Sequence, residues 1–311
     1  QSLLGLARDM VLEAVSTRKE VPSDEPSLVL QVEDAFFEEV MRVFVMVFQT
    51  GGSQKLKISA YGVSPERKHS FETRFPEYSK SCIVEWHEKV FSGHASDVVD
   101  PDFAFFFSES ETRVIELARS FARLHPEVSH TRIYACVEES GPATDLISEL
   151  NSSDLGFRIV SLYDYLVHRG SLLNFAMETE GKGLHEAYAA NSEFEVKPWD
   201  EISEFHRNSN RMAALQQAVY TRMWEAYSAS MERDELLEYL ARCEHLRWMS
   251  FHVMAGYRLD EKGVSNEERQ RRKVHPNLVE YDDLTEEDRE KDRVTVRQLL
   301  NLASRSNPKS E

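Results

Sequence analysis

The sequence predicts an α/β fold, with a parallel sheet carrying helices on its faces, followed by a mainly α-helical part. Strand-like and helix-like segments alternate between residue 28 and about residue 165. That alternation is the signature of strand–helix–strand units. The run Phe103-Ala104-Phe105-Phe106-Phe107 is continuously apolar, as in a strand buried on both faces. From residue 184 onward the chain shows only the three- and four-residue apolar spacing of helices.

In order along the chain, residues 3–15 read as a helix, and 16–27, with Pro22 and Pro26, as a linker. Residues 28–31 form a short buried strand and 32–50 a helix, stopped by Gly51-Gly52-Ser53. Residues 56–61 alternate as a strand. After strand 103–107, Ser108 and Ser110 can cap a helix ending before Pro126, with Glu109 and Glu111 at its positive end. Strands at 132–137 and 158–162 flank a helix at 143–150. Further helices are predicted at 184–190, 209–227, 231–255 and 285–302. The composition shift near residues 175–200 marks a boundary. The expected units are 1–27 (helix and linker), 28–180 (the α/β part) and 181–311 (the helical part).

Composition narrows the function. With 41% apolar residues in 311, a sizeable core can form. The net charge of -17 disfavours nucleic acid as a partner, because phosphate contacts need a basic face. Cys82, Cys136 and Cys243 lie far apart without CxxC spacing, which argues for a reducing, cytoplasmic setting and against a thiolate metal site. No apolar run reaches the roughly 18 residues of a membrane span. The chain opens on Gln1 inside a helical pattern, so an upstream segment, membrane-spanning or not, is left open.

Residues 243–248 read Cys-Glu-His-Leu-Arg-Trp, followed by a polar loop, then Val274-His275-Pro276-Asn277, then Tyr281 and a helix opened by Thr285 and acids. This pattern resembles the ryanodine-receptor (RyR) repeat, a small helical module associated with ligand and nucleotide binding and with channel gating rather than catalysis. Residues 99–170 contain Asp102-Phe103-Ala104-Phe105-Phe106-Phe107-Ser108, Arg132-Ile133-Tyr134-Ala135-Cys136-Val137 and Arg158-Ile159-Val160-Ser161-Leu162-Tyr163-Asp164. They resemble the Rossmann-like regulatory domain of Trk-type potassium-transport proteins. Bacterial proteins fusing the two are also similar at Leu184-His185-Glu186-Ala187-Tyr188, Lys197-Pro198-Trp199-Asp200-Glu201 and Asn208-Ser209-Asn210-Arg211.

The nucleotide signature itself departs from that family. Its first strand should lead into a glycine-rich turn that lets the backbone approach a pyrophosphate. Here the first strand runs into Val32-Glu33-Asp34, and the second ends at Ala60-Tyr61-Gly62 without the acid that would hold a ribose. A nicotinamide cofactor in the usual mode is therefore not expected, and no cofactor is assigned.

Candidate ligand-binding residues lie in the helical part. Trp248 can stack on a ring, Arg247 can meet a phosphate or carboxylate, and Glu244 can hold hydroxyls or an amine, with His245 in the same pocket. The same residues also suit a core tryptophan and structural ion pairs. His275 could donate to a ligand and Tyr281 could wall a pocket, or both could belong to a turn packed around Pro276. Lys273 closes the basic run Arg269, Arg271, Arg272, Lys273, which reads as an anion lure or a solvated loop. Asn210 and Arg211 sit where a helix is expected to open, placing its free N–H groups near a phosphate or simply under an N-cap. His245 and His252 lack a third ligand at metal spacing, and no catalytic triad is evident. The resulting expectation is a non-enzymatic cytoplasmic sensor for a small anionic, nucleotide-derived ligand. It would bind in the helical part or the interdomain cleft and relay to a partner or a membrane segment. A homodimer is expected, with antiviral signalling as an analogy. The alternative is an interaction module without a ligand.

Overall fold

Alternating buried strands organise the first half, as their apolar runs require. The computed structural model describes residues 2–17, 25–32, 36–91, 101–139, 141–142, 155–165, 167, 171–191, 196–260 and 264–306. Six parallel strands are β1 (Ser27–Val32), β2 (Leu56–Tyr61), β3 (Cys82–His87), β4 (Phe103–Phe107), β5 (Ile133–Val137) and β6 (Arg158–Ser161). They are ordered β3-β2-β1-β4-β5-β6, the doubly wound Rossmann-like order. Leu28 of β1 stands opposite Ile58 on one side and Phe103 on the other, so β1 and β4 lie at the centre.

Side chains alternate across the sheet as the strand period demands. Leu28, Leu30, Phe103, Phe105 and Phe107 face helices α1 (Ser2–Thr17) and α2 (Phe37–Val47). Phe44 of α2 meets Phe105 edge-on with ring centres 4.9 Å apart, and Phe48 meets Phe103 at 5.3 Å. The opposite face carries Val29, Ala104 and Phe106 against Val114, Ile115, Ala118 and Phe121 of α4 (Glu111–Leu124). Ser110 caps α4 by accepting from the Arg113 backbone, as its sequence promised.

Among the elements that escaped the sequence reading are α3 (Pro65–Arg74) and β3. In α3 only Phe71 is buried, so no apolar stripe marks it. Strand β3 is at the sheet edge and mostly half-buried, which blurs its alternation. Helix α2 is shorter than expected, beginning at Phe37; residues 33–35, with Glu33 and Asp34, and the helix expected at 143–150 lie outside the described residues.

After the short α5 (Leu162–Tyr165), the second half is helical: α6 (Ser171–Asn191), α7 (Glu204–Tyr227), α8 (Arg233–Val253), α9 (Asn266–Arg272) and α10 (Glu286–Ser306). A two-stranded ribbon pairs β7 (Arg258–Leu259) with β8 (Val274–His275). Helix α6 begins at Ser171, well before residue 184, and Gly181 lies within it. A Cβ at Gly181 would stand 3.1 Å from the Arg211 backbone nitrogen, so glycine there lets α6 and α7 cross closely.

The helical layer is continuous with the core of the sheet. Met212, Val219 and Met223 of α7 and Leu240 and Leu246 of α8 share one buried cluster with Leu6 and Met10 of α1 and Val40 and Phe44 of α2. Polar ties reinforce it: Gln216 donates to the Val47 carbonyl at 2.8 Å and Tyr239 to that of Thr50 at 2.7 Å. The helix ends before the glycines, at Val47 with Phe48 as its cap, and Gly52 instead turns the chain with φ +63°, the Tyr239 ring filling the space of a Cβ. Among the described residues, no helix is long and apolar enough to cross a membrane.

In such a sheet the usual crevice opens at the carboxyl ends of β1 and β4. Near the carboxyl end of β1, Gln31 accepts at 2.7 Å from the Phe91 backbone. Phe91 in turn packs on Tyr61, Phe106 and Phe121. Calorimetry with NAD and NADP is expected to show no tight binding. A dissociation constant below about 10 μM, roughly -7 kcal/mol or better, would mean that a dinucleotide binds without the glycine turn.

Candidate functional site

Helix α8 is covered on nearly every side, and that decides the fate of its charged residues. Thirteen of its residues are buried, among them Glu244, His245 and Arg247. A charge in such a place must be paired. Arg247, 2% exposed, grips Glu244 with two bonds, Nε to Oε2 at 2.8 Å and Nη2 to Oε1 at 2.7 Å. The Tyr220 hydroxyl of α7 donates to the same carboxylate at 3.0 Å. Arg247 therefore does not reach for a ligand anion, as its sequence position suggested; its fork is spent inside the core.

The neighbouring face of α8 is different. Glu244, His245 and Trp248 line a cavity of about 260 Å³ with His275 and with Asp288, Lys291 and Asp292 of α10. His245 donates from Nε2 to the Val279 carbonyl at 2.8 Å and places Nδ1 3.4 Å from Asp292. Burial pushes the His245 pKa down, but the hydrogen bond and charge of Asp292 outweigh it and the net shift is upward. Burial likewise raises Asp292.

Trp248 is ringed by imidazoles, with His252 at 4.1 Å, His275 edge-on at 4.7 Å and His245 stacked at 5.9 Å. Burial lowers His252 to about 3 and His275 to about 4, so both are neutral at physiological pH. The Nδ1 of His275 accepts from the Asn277 backbone at 3.1 Å, which leaves the proton on Nε2. Lys291 bonds Asp288 at 2.8 Å with its side chain half exposed. The cavity thus offers one aromatic wall, neutral imidazole edges, buried carboxylates and a single lysine.

Of the nine sequence candidates, Glu244, His245, Trp248 and His275 come together here. The other five do not line this cavity. Tyr281 is buried beside it, its ring 5.8 Å from His245 and covered by the Arg242 guanidinium at 4.7 Å. Lys273 ends α9 in a left-handed conformation, φ +52°, and its Nζ donates to the Ala255 carbonyl at 2.9 Å. Asn210 and Arg211 do not open a helix. Helix α7 starts at Glu204, where Ser203 accepts from the His206 backbone. Residues 208–211 are thus already in its second turn, their N–H groups committed to the helix. Asn210 donates back to the His206 carbonyl at 3.0 Å, and Arg211 lines a separate cavity.

Asp288, Lys291, Asp292 and Thr295 were missed. Their signal was present: positions 288, 292 and 295 recur at four and three residues and so share one face of α10. No group of three metal-binding side chains occurs among the described residues. Burial also pushes the thiols of Cys82 and Cys243 up to about 12 and Cys136 higher still, so none is a ready thiolate. Comparison with protein-family models, with curated proteins and with solved structures returns no match to this chain.

Proposed function

We propose that this chain is a ligand-sensing protein whose site is the cavity between α8 and α10. The observation that carries this reading is Trp248, half-buried at the cavity wall while the rest of residues 243–253 is buried, with Lys291 lining the same cavity. An aromatic face suits a ring, and Lys291, half exposed and paired with Asp288, is the lysine of the lining that an anionic group would meet, as in an adenine nucleotide or a related signal. Ligand sites usually span about 300–1,000 Å³. A cavity of about 260 Å³ therefore takes a base-sized part, with any phosphate left at the mouth near Lys291. A ligand there touches α8 and α10, which pack on α7 and α2, so occupancy would bias the junction with the sheet. The output would pass to a partner or a membrane segment.

Thermal melts against adenosine, AMP, ATP and inorganic phosphate test this. At least one nucleotide is expected to raise the melting temperature. Stacking on an aromatic side chain contributes about 1–3 kcal/mol, so Trp248→Ala should weaken binding roughly tenfold to a hundredfold. No shift with any compound, or equal affinity in Trp248→Ala, would refute the reading.

A second reading, a homodimer through the sheet edge, is favoured by β3, which lies at that edge and leaves Ile83 43% exposed. Sedimentation of wild type and Ile83→Lys would decide it, a purely monomeric wild type counting against it.

A further inference from the structure

A second cavity, about 730 Å³, opens where α1 and α2 meet α6, α7 and α8, and it shares no lining residue with the first. Its apolar lining comes from Leu4, Val43, Met46, Met177, Met212 and Phe251. Methionines are pliable and suit a variable apolar guest. The volume lies within the usual range for small-molecule sites.

The charged residues of the lining are Arg42, Arg211, Glu39, Glu178 and Glu204. Arg42 donates from Nε to the Met254 carbonyl at 3.2 Å and from Nη1 to Glu39 at 3.3 Å. Arg211 donates from Nε to Glu178 at 2.6 Å and from Nη1 to Glu204 and to Asn208. Neither Nη2 has a hydrogen-bond partner among the described residues, although the Arg211 guanidinium also lies over the Trp199 ring, 5.8 Å from its centre. The lining therefore carries two guanidinium groups with donors not spent on protein acceptors. Its net charge is nevertheless not positive, since two cations stand against three carboxylates. The bonds from Arg211 hold Glu178 and Glu204 below the usual carboxylate range, so both stay ionised at neutral pH.

That combination selects the guest. An anionic head would face carboxylates already paired with the arginines. A cationic head would compete with the arginines for those carboxylates and leave the Nη2 groups unused. An uncharged acceptor uses the free donors, displaces no ion pair and loses little hydration on entry. We propose that this cavity binds an uncharged, largely apolar small molecule through a carbonyl head of amide, ester or lactone type, with its apolar body among the methionines.

Nile red, an uncharged apolar dye with a carbonyl, is the probe, since its fluorescence rises on leaving water. Wild type is expected to bind it saturably, one dye per chain. Met177→Trp and Leu4→Trp, on separate helices and each only half-buried, should each weaken binding at least tenfold with unchanged melting temperature. Competition then reads the head group: N-methyl dodecanamide should displace the dye at a concentration at least tenfold below that of dodecanoate or dodecylamine. Absence of saturable binding, full binding by both folded tryptophan variants, or displacement led by either ion would overturn the proposal.

Discussion

Acidification from about pH 7 to about pH 5 is expected to destabilise the protein, with His252 alone contributing about 2 kcal/mol. The cause is burial: His252 is 6% exposed and its Nδ1 donates to the Trp248 carbonyl at 2.9 Å. Desolvation first, then the nearby His275, Arg247 and His206, push it from 6.5 to about 3. A histidine whose pKa falls on folding stabilises the protein above its unfolded value. That stability is lost progressively as pH drops from about 6.5 towards 3, reaching about 5 kcal/mol at the low end. His275 acts in the same direction. His245 acts oppositely, because its net shift is upward and protonation there favours the folded state. Urea unfolding of wild type and His252→Leu at both pH values isolates the contribution. The wild-type loss should exceed the variant loss by about 2 kcal/mol; equal losses would show that His252 is not the sensitive group.

Glu244→Ala should cost still more at neutral pH, about 3–5 kcal/mol, because it leaves the buried Arg247 charge without its counter-ion. Arg247 already has one amino group, Nη1, without a partner in the core. For a chain of 311 residues that loss corresponds to a fall in melting temperature of about 5–8 °C. The double variant Glu244→Leu with Arg247→Met should recover most of it, since replacing a buried ion pair by apolar residues is often near neutral. Calorimetric melts of the three proteins decide the matter. A Glu244→Ala protein melting within about 2 °C of wild type would mean that water reaches Arg247.

Legibility in the sequence tracked burial. Strands 56–61 and 103–107 were read with the bounds the structure shows, because each is buried and needs an apolar run. The edge strand β3 and the polar helix α3 were invisible for the opposite reason. At the site, the helix carrying Glu244, His245 and Trp248 was readable from its pattern, and His275 was among the named candidates; its contact with Trp248 came from the fold. Arg247 and Trp248 are one position apart, yet one is sealed in the core and the other lines the cavity. One step along a helix turns a side chain by about 100°, and the sequence does not say which neighbour waits on each side.

The amino-acid pattern by itself determined the alternation that builds a parallel sheet, the turn at glycines 51–52, the capped start of α4 and the helical character of the second half. These are local: spacing, caps and breakers act within a few residues. Only the tertiary structure decided the strand order, the contact of Gln31 with the Phe91 backbone, and the continuity of the helical layer with α1 and α2. It also assigned Arg211 and Trp248 to different cavities. Those outcomes depend on contacts between residues tens to hundreds of positions apart, such as Gln216 with Val47 and His245 with Asp292. Packing between distant segments is set by shape and by pairing of buried polar groups, and neither leaves a periodic mark along the chain.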